Sequence, residues 1–287
     1  LYNVLPNNAT GDFDVTRGSL ATRVNKDGLI EPVGTLGADV VLNGDFEETG
    51  ADQVLNGDFS QEGVDVIIGG DFSNPSDWTE GNGWSIENGK ATSVGNNLSG
   101  SVYQTIPSVV NKTYKVEIEI SDYVSGTLRA INRGNFVNLP QSNGVHTVYL
   151  TTSTSSDNFL YLESRPFVGS IDNVSVVEVG QDWTLGTGWS IGDDKVIADG
   201  TNTSLSEVRQ TSVTTIGKQY KITFKVNEVN NVIELKGNAV YTRVDTLGVG
   251  THTIYITADA TYIRFLAFVG STCSITNITV EEVGQEW

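Results

Sequence analysis

Asp77-Trp78-Thr79-Glu80-Gly81-Asn82-Gly83-Trp84-Ser85-Ile86 returns 105 positions later as Asp182-Trp183-Thr184-Leu185-Gly186-Thr187-Gly188-Trp189-Ser190-Ile191. Further pairs keep nearly the same offset: Tyr114-Lys115-Val116-Glu117-Ile118 with Tyr220-Lys221-Ile222-Thr223-Phe224, and Val145-His146-Thr147-Val148-Tyr149 with Thr251-His252-Thr253-Ile254-Tyr255. Self-similarity over such a length marks a domain written twice. Within each copy the apolar residues are spaced by two. Tyr114, Val116, Ile118 and Ile120 alternate with Lys115, Glu117 and Glu119, and Tyr220, Ile222, Phe224 and Val226 alternate with Lys221, Thr223 and Lys225. That period belongs to strands with one dry and one wet face. Similar runs at Thr147 to Thr151, Phe159 to Glu163, Thr253 to Thr257 and Tyr262 to Ala267 lie between Gly, Asn, Ser and Asp clusters. About eight short strands per copy is the content of a sandwich or jelly roll. The expected fold class is therefore all-β, with tandem β-sandwich domains.

The segment Val174-Ser175-Val176-Val177-Glu178-Val179-Gly180-Gln181-Asp182-Trp183 matches Ile278-Thr279-Val280-Glu281-Glu282-Val283-Gly284-Gln285-Glu286-Trp287. In the first copy it leads straight into the next module, so residues 285–287 are expected to begin a third module of a longer parent chain. The remaining divisions are an N-terminal adaptor at 1–37, a connector at 38–65, a first sandwich at 66–180 and a second at 181–284. In the adaptor, Ala21 to Val24 and Leu29 to Val33 flank Asn25-Lys26-Asp27-Gly28, where Gly28 suits a positive φ, and a hairpin is the natural reading. A short motif then recurs every 13 residues: Val41-Leu42-Asn43-Gly44-Asp45-Phe46, Val54-Leu55-Asn56-Gly57-Asp58-Phe59 and Ile67-Ile68-Gly69-Gly70-Asp71-Phe72. Only the third runs directly into a module. The earlier two read as duplicated first strands, each too short to bury a core alone and available to pair with neighbouring subunits.

The formal net charge of -18, from 35 acidic and 17 basic residues, repels phosphate backbones and anionic membranes, so neither nucleic acid nor a membrane is an expected partner. No apolar run is long enough to span a bilayer, and no basic-then-apolar signal segment opens the chain. The single cysteine, Cys273, forms no internal disulfide, so stability must come from apolar burial and strand pairing.

Asn-Gly-Asp-Phe, then Trp78 and Gly83-Trp84-Ser85-Ile86, then Gly169-Ser170-Ile171-Asp172-Asn173-Val174-Ser175-Val176, resemble the carbohydrate-binding-module-like jelly rolls of secreted glycoside hydrolases and of bacteriophage tail and fibre proteins. That resemblance covers about residues 66 to 284. Leu1-Tyr2-Asn3-Val4-Leu5-Pro6, Gly11-Asp12-Phe13-Asp14-Val15-Thr16-Arg17 and Ala21-Thr22-Arg23-Val24-Asn25-Lys26-Asp27-Gly28-Leu29-Ile30-Glu31 resemble the opening of phage virion appendage proteins. Together they imply a structural virion protein on the surface of an extracellular particle, a fibre-like tail or head appendage. It would dock by its N-terminal region beside other virion proteins, form a homotrimer, and contribute to adhesion to host-surface glycans. The alternative is a secreted bacterial array of carbohydrate-binding modules attached to a larger glycoside hydrolase or adhesin.

The resemblance also implies a structural Ca²⁺ between first and last strands, held by carboxylate and carbonyl oxygens. Asp71 and Asp172 are the matching carboxylates of the first module. The second carries Thr276 in place of Asp172 and no Asn-Gly-Asp-Phe strand at its own start, so no site is expected there. No other cofactor and no catalytic residue is expected. His146 and His252 occupy matching positions ahead of matching strands, whereas a catalytic base needs a partner in one site rather than a duplicate in each. Glu117 and Glu119 become Thr223 and Lys225 in the second copy and read as solvated surface rather than as an acid/base pair. Cys273 has no histidine nearby in sequence and reads as a buried small side chain. Trp78, Trp84, Trp183 and Trp189 recur in step with the fold and are expected in the core. Tyr103, Tyr123, Phe136 and Tyr161 are less regular, and the sequence names no sugar-stacking platform among them. Nucleophile elbows, zinc spacings and phosphate loops are absent, so the chain does not read as an enzyme.

Overall fold

The computed structural model describes residues 22–24, 26–32, 48–95, 100–153, 157–239 and 241–284. The expected N-terminal hairpin is present: Thr22–Val24 pairs antiparallel with Ile30–Pro32, and Gly28 takes φ 78° in the turn.

The first sandwich is built around two long antiparallel strands, Thr113–Asn132 and Phe159–Val179. Each is too long for one sheet and passes from one layer to the other, with register shifts at Arg165/Pro166, Val168/Ser170 and Asp172/Ser175 marking the bends. Their Thr113–Ile120 and Val168–Val179 portions form the first layer. Gly144–Thr151 borders it on one side, and Lys90–Val94, Trp84–Glu87 and Glu62–Asp65 on the other. The second layer runs Asn135–Asn138, the end of Thr113–Asn132, the start of Phe159–Val179, Ser101–Thr105 and Thr79–Glu80.

The second sandwich repeats this plan strand for strand. Its first layer holds Gly250–Thr257, Gln219–Asn230, Thr272–Val283, Lys195–Asp199 and Trp189–Gly192. Its second layer holds Tyr241–Arg243, Ile233–Lys236, Tyr262–Ala267, Ser206–Thr211 and Thr184–Leu185. Here the two long strands are interrupted, and Asn231 turns with φ 65° where the first module's strand is continuous.

The period-two alternation places the side chains as expected. Tyr114, Val116, Ile118 and Ile120 lie in one core, and Tyr220, Ile222, Phe224 and Val226 in the other. The two tyrosines share a corner: Tyr114 Oη accepts from Val109 N–H and Tyr220 Oη from Thr215 N–H, both at 2.9 Å. All four repeated tryptophans are buried. A fully buried ring stabilises by about 1.5–3 kcal/mol over an exposed one, so these side chains dominate each core.

The structure corrects the expected connector at 38–65. Residues 38–47 lie outside the described residues, but Thr49–Asp52 is a strand of the second sandwich, pairing Thr49 with Val283 and Asp52 with Glu281. Val54 and Phe59 belong to the second core. The first sandwich begins at Glu62–Asp65, paired with Val177 and Val179, rather than at 66. The second motif copy is therefore the missing first strand of the second module. It pairs within the chain, not with a neighbouring subunit. The first sandwich is inserted between that strand and the rest of the second. The expected module start at residues 285–287 lies outside the described residues.

Several contacts of the motif are the same in both copies. Asp52 Oδ1 accepts from Val54 N–H (3.0 Å) and Val280 N–H (2.8 Å); Asp65 Oδ1 accepts from Ile67 N–H and Val176 N–H (both 3.0 Å). Gln210 clamps the backbone of Leu55 through both amide atoms, as Gln104 clamps Ile68. A Cβ on Gly57 would collide with the Ile278 carbonyl, and one on Gly70 with the Val174 carbonyl. Phe59 and Phe72 sit at φ 60° and 50°, which turns their rings into the cores against Trp183 and Trp78.

The two sandwiches meet closely. Gly180 takes φ 69°, and a side chain there would collide with Ile191. Lys112 Nζ donates to Gln181 O (2.8 Å) and pairs with Glu178 (3.1 Å), and Ile191 N–H donates to Thr113 Oγ1 (3.3 Å). The Tyr149 ring of the first module packs against the second core beside Gly192.

Candidate functional site

The outer surface of the first module's second layer gathers four aromatic rings, half-buried at Tyr103, Phe159 and Tyr161 and exposed at Phe136. Along its strands Val102, Gln104, Ala130, Asn132, Leu160 and Leu162 point inward and are buried. Strand alternation therefore turns Tyr103, Ile131, Phe159 and Tyr161 outward. Register then aligns them: Thr79 faces Tyr103, Tyr103 faces Tyr161, Tyr161 faces Ile131, and Ile131 faces Phe136. With strands about 4.8 Å apart, this row crosses five strands over roughly 19 Å.

The rings touch one another. Tyr103 lies 5.1 Å from Tyr161 and 5.5 Å edge-on from Phe159, and Phe159 lies 5.6 Å from Tyr161. At the far edge Phe136 is 54 % exposed, with the Arg129 guanidinium 4.3 Å from its ring centre. The adjacent row, Ser101, Glu163, Arg129 and Asn138, supplies polar groups. Arg129 Nε donates to Asn138 Oδ1 (3.0 Å), and Arg165 Nε to Glu163 (2.8 Å). Tyr161 Oη donates to Asp157 (3.3 Å); desolvation, and then the Asp157 charge, push the phenol above its usual pKa. An aromatic strip edged by fixed donors and acceptors suits a ligand with one apolar face and a polar rim. Asn135, adjacent to Phe136, also lines a polar cleft of about 390 Å³ between the modules, with Thr151, Gly186 and Trp189.

The same place on the second module is different. Thr184 again begins the row, but Arg209, Arg264 and Lys236 follow where the first module has Tyr103, Tyr161 and Ile131. These cations are engaged locally. Arg209 (3.3 Å) and Arg264 (2.5 Å) both pair with Glu207, Lys236 pairs with Glu234 (3.7 Å), and both guanidinium groups lie near the Tyr262 ring. Among the described side chains, Tyr262 is the aromatic ring beside these cations.

The residues singled out from sequence land as follows. Asp71 is fully exposed, and its Oδ1 accepts from the backbone and hydroxyl of Ser73, which hold its carboxyl below the usual range. Asp172 Oδ1 accepts from Asn173 N–H (2.7 Å). Among the described residues no three His, Cys, Asp or Glu side chains gather as a metal cluster. In the second module Thr276 Oγ1 donates to the carbonyls of Asp194 (2.6 Å) and Asp58 (3.3 Å), so this junction is closed by hydrogen bonds. The expected lack of a first strand there is corrected by Val54 to Phe59.

His146 Nε2 pairs with Ser142 O (2.7 Å) and His252 Nε2 with Gly248 O (2.9 Å), the same turn in each copy. Glu117 and Glu119 are half-exposed and engaged by Thr147 (3.4 Å) and the Asn173 amide (2.7 Å). Cys273 is fully buried, and burial pushes its thiol up to about 12. Tyr123 bends back to donate to Gly126 O, away from the aromatic strip. Sequence reasoning missed Phe159 and the grouping itself, although the Phe159-x-Tyr161 alternation held the signal.

No family model matches the chain, and no curated protein does. Among solved structures it is similar to the N-terminal CBM22-1–CBM22-2 tandem domain of Xyn10C from Paenibacillus barcinonensis, at 12% identity and TM-score 0.31 over 77% of this chain and 98% of that one. It is also similar to allantoicase from Saccharomyces cerevisiae (8%, TM-score 0.25, 76% and 92%) and to a Paenibacillus xanthan lyase (16%, TM-score 0.24, 72% and 24%).

Proposed function

We propose that this chain is a glycan-binding tandem sandwich whose binding face is the aromatic strip of the first module, with the second module as its mount. One observation carries the reading: the register-aligned row of Tyr103, Tyr161, Ile131 and Phe136, joined by Phe159, stands on an open sheet face. A contiguous aromatic surface, half-buried at Tyr103, Phe159 and Tyr161 and exposed at Phe136, is the kind of patch that marks a binding surface. Pyranose rings present apolar faces to such a strip while their hydroxyls reach Asn138 and Arg129. The nesting adds a reason for the division of labour. The chain enters and leaves the second module side by side at Thr49 and Val283, so the first module hangs from it as an insertion.

The setting we propose is the one suggested by residues 1–31, an appendage of a virus particle that contacts a host-surface glycan. A secreted array of carbohydrate-binding modules would use the same face. The test is affinity electrophoresis of the chain through a panel of soluble neutral and acidic polysaccharides. At least one should retard the wild type and leave Tyr103→Ala/Tyr161→Ala unretarded. Equal mobility of wild type and variant on every polysaccharide contradicts the proposal.

A further inference from the structure

The aromatic row ends at Phe136 on the outermost strand of its layer, Asn135–Asn138, and Asn135 beside it lines the polar cleft between the two modules. That cleft holds about 390 Å³, within the range of small-molecule sites. On the first-module wall, Asn135 Nδ2 donates to Thr151 O (2.6 Å), Thr151 Oγ1 shares a hydrogen bond with Thr113 Oγ1 (2.8 Å), and Thr152 N–H donates to Lys112 O (2.9 Å). The second-module wall is the turn at residues 186–188. It is pinned by bonds from Gly186 N–H to Glu207 O (2.8 Å), Trp189 N–H to Gly186 O (3.1 Å) and Asp199 N–H to Gly188 O (2.9 Å). The bonds from Lys112 to Gln181 O and from Ile191 N–H to Thr113 Oγ1 fix one wall against the other. The cleft is therefore preformed, and a ligand entering it has little protein to order.

Its lining is selective. Among the described residues no Lys or Arg lines it, and its carboxylate, Asp199, already accepts from Thr201 N–H (2.8 Å) and Thr201 Oγ1 (2.7 Å). Hydroxyls and amides remain: Thr187 and Asn111 are exposed, and Asn135, with its Nδ2 engaged, keeps Oδ1 as an acceptor. An anion finds no counter-charge here, whereas a neutral polyhydroxylated group finds donors and acceptors on both walls. We propose that the cleft is a second glycan subsite, which takes a neutral sugar residue at one end of the chain bound along the aromatic strip. Phe136 and Asn135 point to opposite sides of one edge strand, so the chain turns over that edge to leave the strip and enter the cleft. This subsite presupposes that the strip binds, and it gives the second module, through Thr187 and Ser190, a share in recognition beyond mounting.

The Trp189 indole reports occupancy. Its ring lines the cleft, and its Nε1 is buried with no hydrogen-bond partner among the described residues, whereas the equivalent Trp84 Nε1 donates to Gly100 O (3.0 Å). The test titrates the intact chain with a length series of oligosaccharides cut from the best-retarding polysaccharide and follows the indole and amide N–H resonances. Short members should shift strip residues alone. Longer members should also shift the Trp189 signal and bind roughly three- to tenfold tighter, which is what one neutral hydrogen bond contributes. Thr187→Arg places a long side chain in the cleft from an exposed position. In that variant the gain with length and the Trp189 shift should both disappear, while short members bind as they do to wild type and the Trp78 and Trp183 indoles keep their resonances. If Trp189 stays still at every length, or if Thr187→Arg keeps the whole gain, the cleft subsite is overturned and the strip stands. If Tyr103→Ala/Tyr161→Ala binds the series as wild type does, the strip reading falls and the subsite with it.

Discussion

The indole of Trp183 stands 5.2 Å from the ring of Phe59 and donates its N–H to the carbonyl of Asn56, 127 positions earlier in the chain. The equivalent contact in the first module, Trp78 with Gly69 O, spans 9 positions. The same local chemistry therefore closes a short loop in one module and a very long one in the other. Closing the long loop costs more chain entropy, but the cost grows only logarithmically with length, so the folded inner module sits inside it at little extra penalty.

The glutamine clamps test this nesting. Gln210→Leu leaves the N–H and C=O of Leu55 without partners, and each partly buried orphan costs roughly 1–3 kcal/mol. The second module should lose about 2 kcal/mol or more, read as faster hydrogen exchange at the Trp183 indole, while the Trp78 indole stays protected. Gln104→Leu should give the mirror result. Loss of protection at Trp78 in the Gln210 variant contradicts the assignment.

Truncating the second module's indole should be more severe. Trp183→Ala empties a site packed by Phe59, and such core truncations cost about 3–5 kcal/mol. Differential scanning calorimetry should show the second module's transition lowered or lost, with the first module's retained.

The Cys273 thiol is buried with its pKa raised from 9.0 to about 12. The folded state holds the proton more tightly than the unfolded state, so stability is unaffected below about pH 9. It falls as pH rises from there toward 12, where only the unfolded chain ionises. A thiol reagent at pH 8 should label Cys273 only after denaturant is added. Rapid labelling of the folded chain contradicts this placement.

The histidines should be dispensable for binding. His146→Ala and His252→Ala each remove one side-chain bond to the carbonyl four residues before, worth about 1 kcal/mol or less at these sites. Both variants should retain the wild-type retardation by polysaccharide in affinity electrophoresis, and loss of it in either would implicate the turn in recognition.

Much of the fold was legible in the sequence because its causes are local. The alternation of Tyr114, Val116, Ile118 and Ile120 announces a half-buried strand, and the recurrence of Trp78 and Trp84 as Trp183 and Trp189 announces a second copy. The ownership of Val54 to Phe59 was not legible, since a lone strand joins whichever edge accepts it and sequence order does not say which. The Gly50-x-Asp52 and Gly63-x-Asp65 spacing was the available signal that both copies dock alike. The aromatic strip was hidden for a related reason. Tyr103, Phe136 and Tyr161 lie on separate strands, and only the register Tyr103 to Tyr161 to Ile131 to Phe136 brings them into one row. The clamp glutamines were equally silent, because Gln104 and Gln210 look like ordinary polar positions until the strand they hold is in place.

The most direct measurement is amide and side-chain chemical-shift mapping of the intact chain titrated with an oligosaccharide of the best-retarding polysaccharide. Perturbations should cluster at residues 101–105, 129–138 and 159–165, saturate together, and vanish in Tyr103→Ala/Tyr161→Ala. Saturable shifts confined to residues 206–211, 233–236 and 262–267, or to the cleft around Thr151 and Trp189, would place recognition elsewhere and contradict the assignment of the aromatic strip as the binding face.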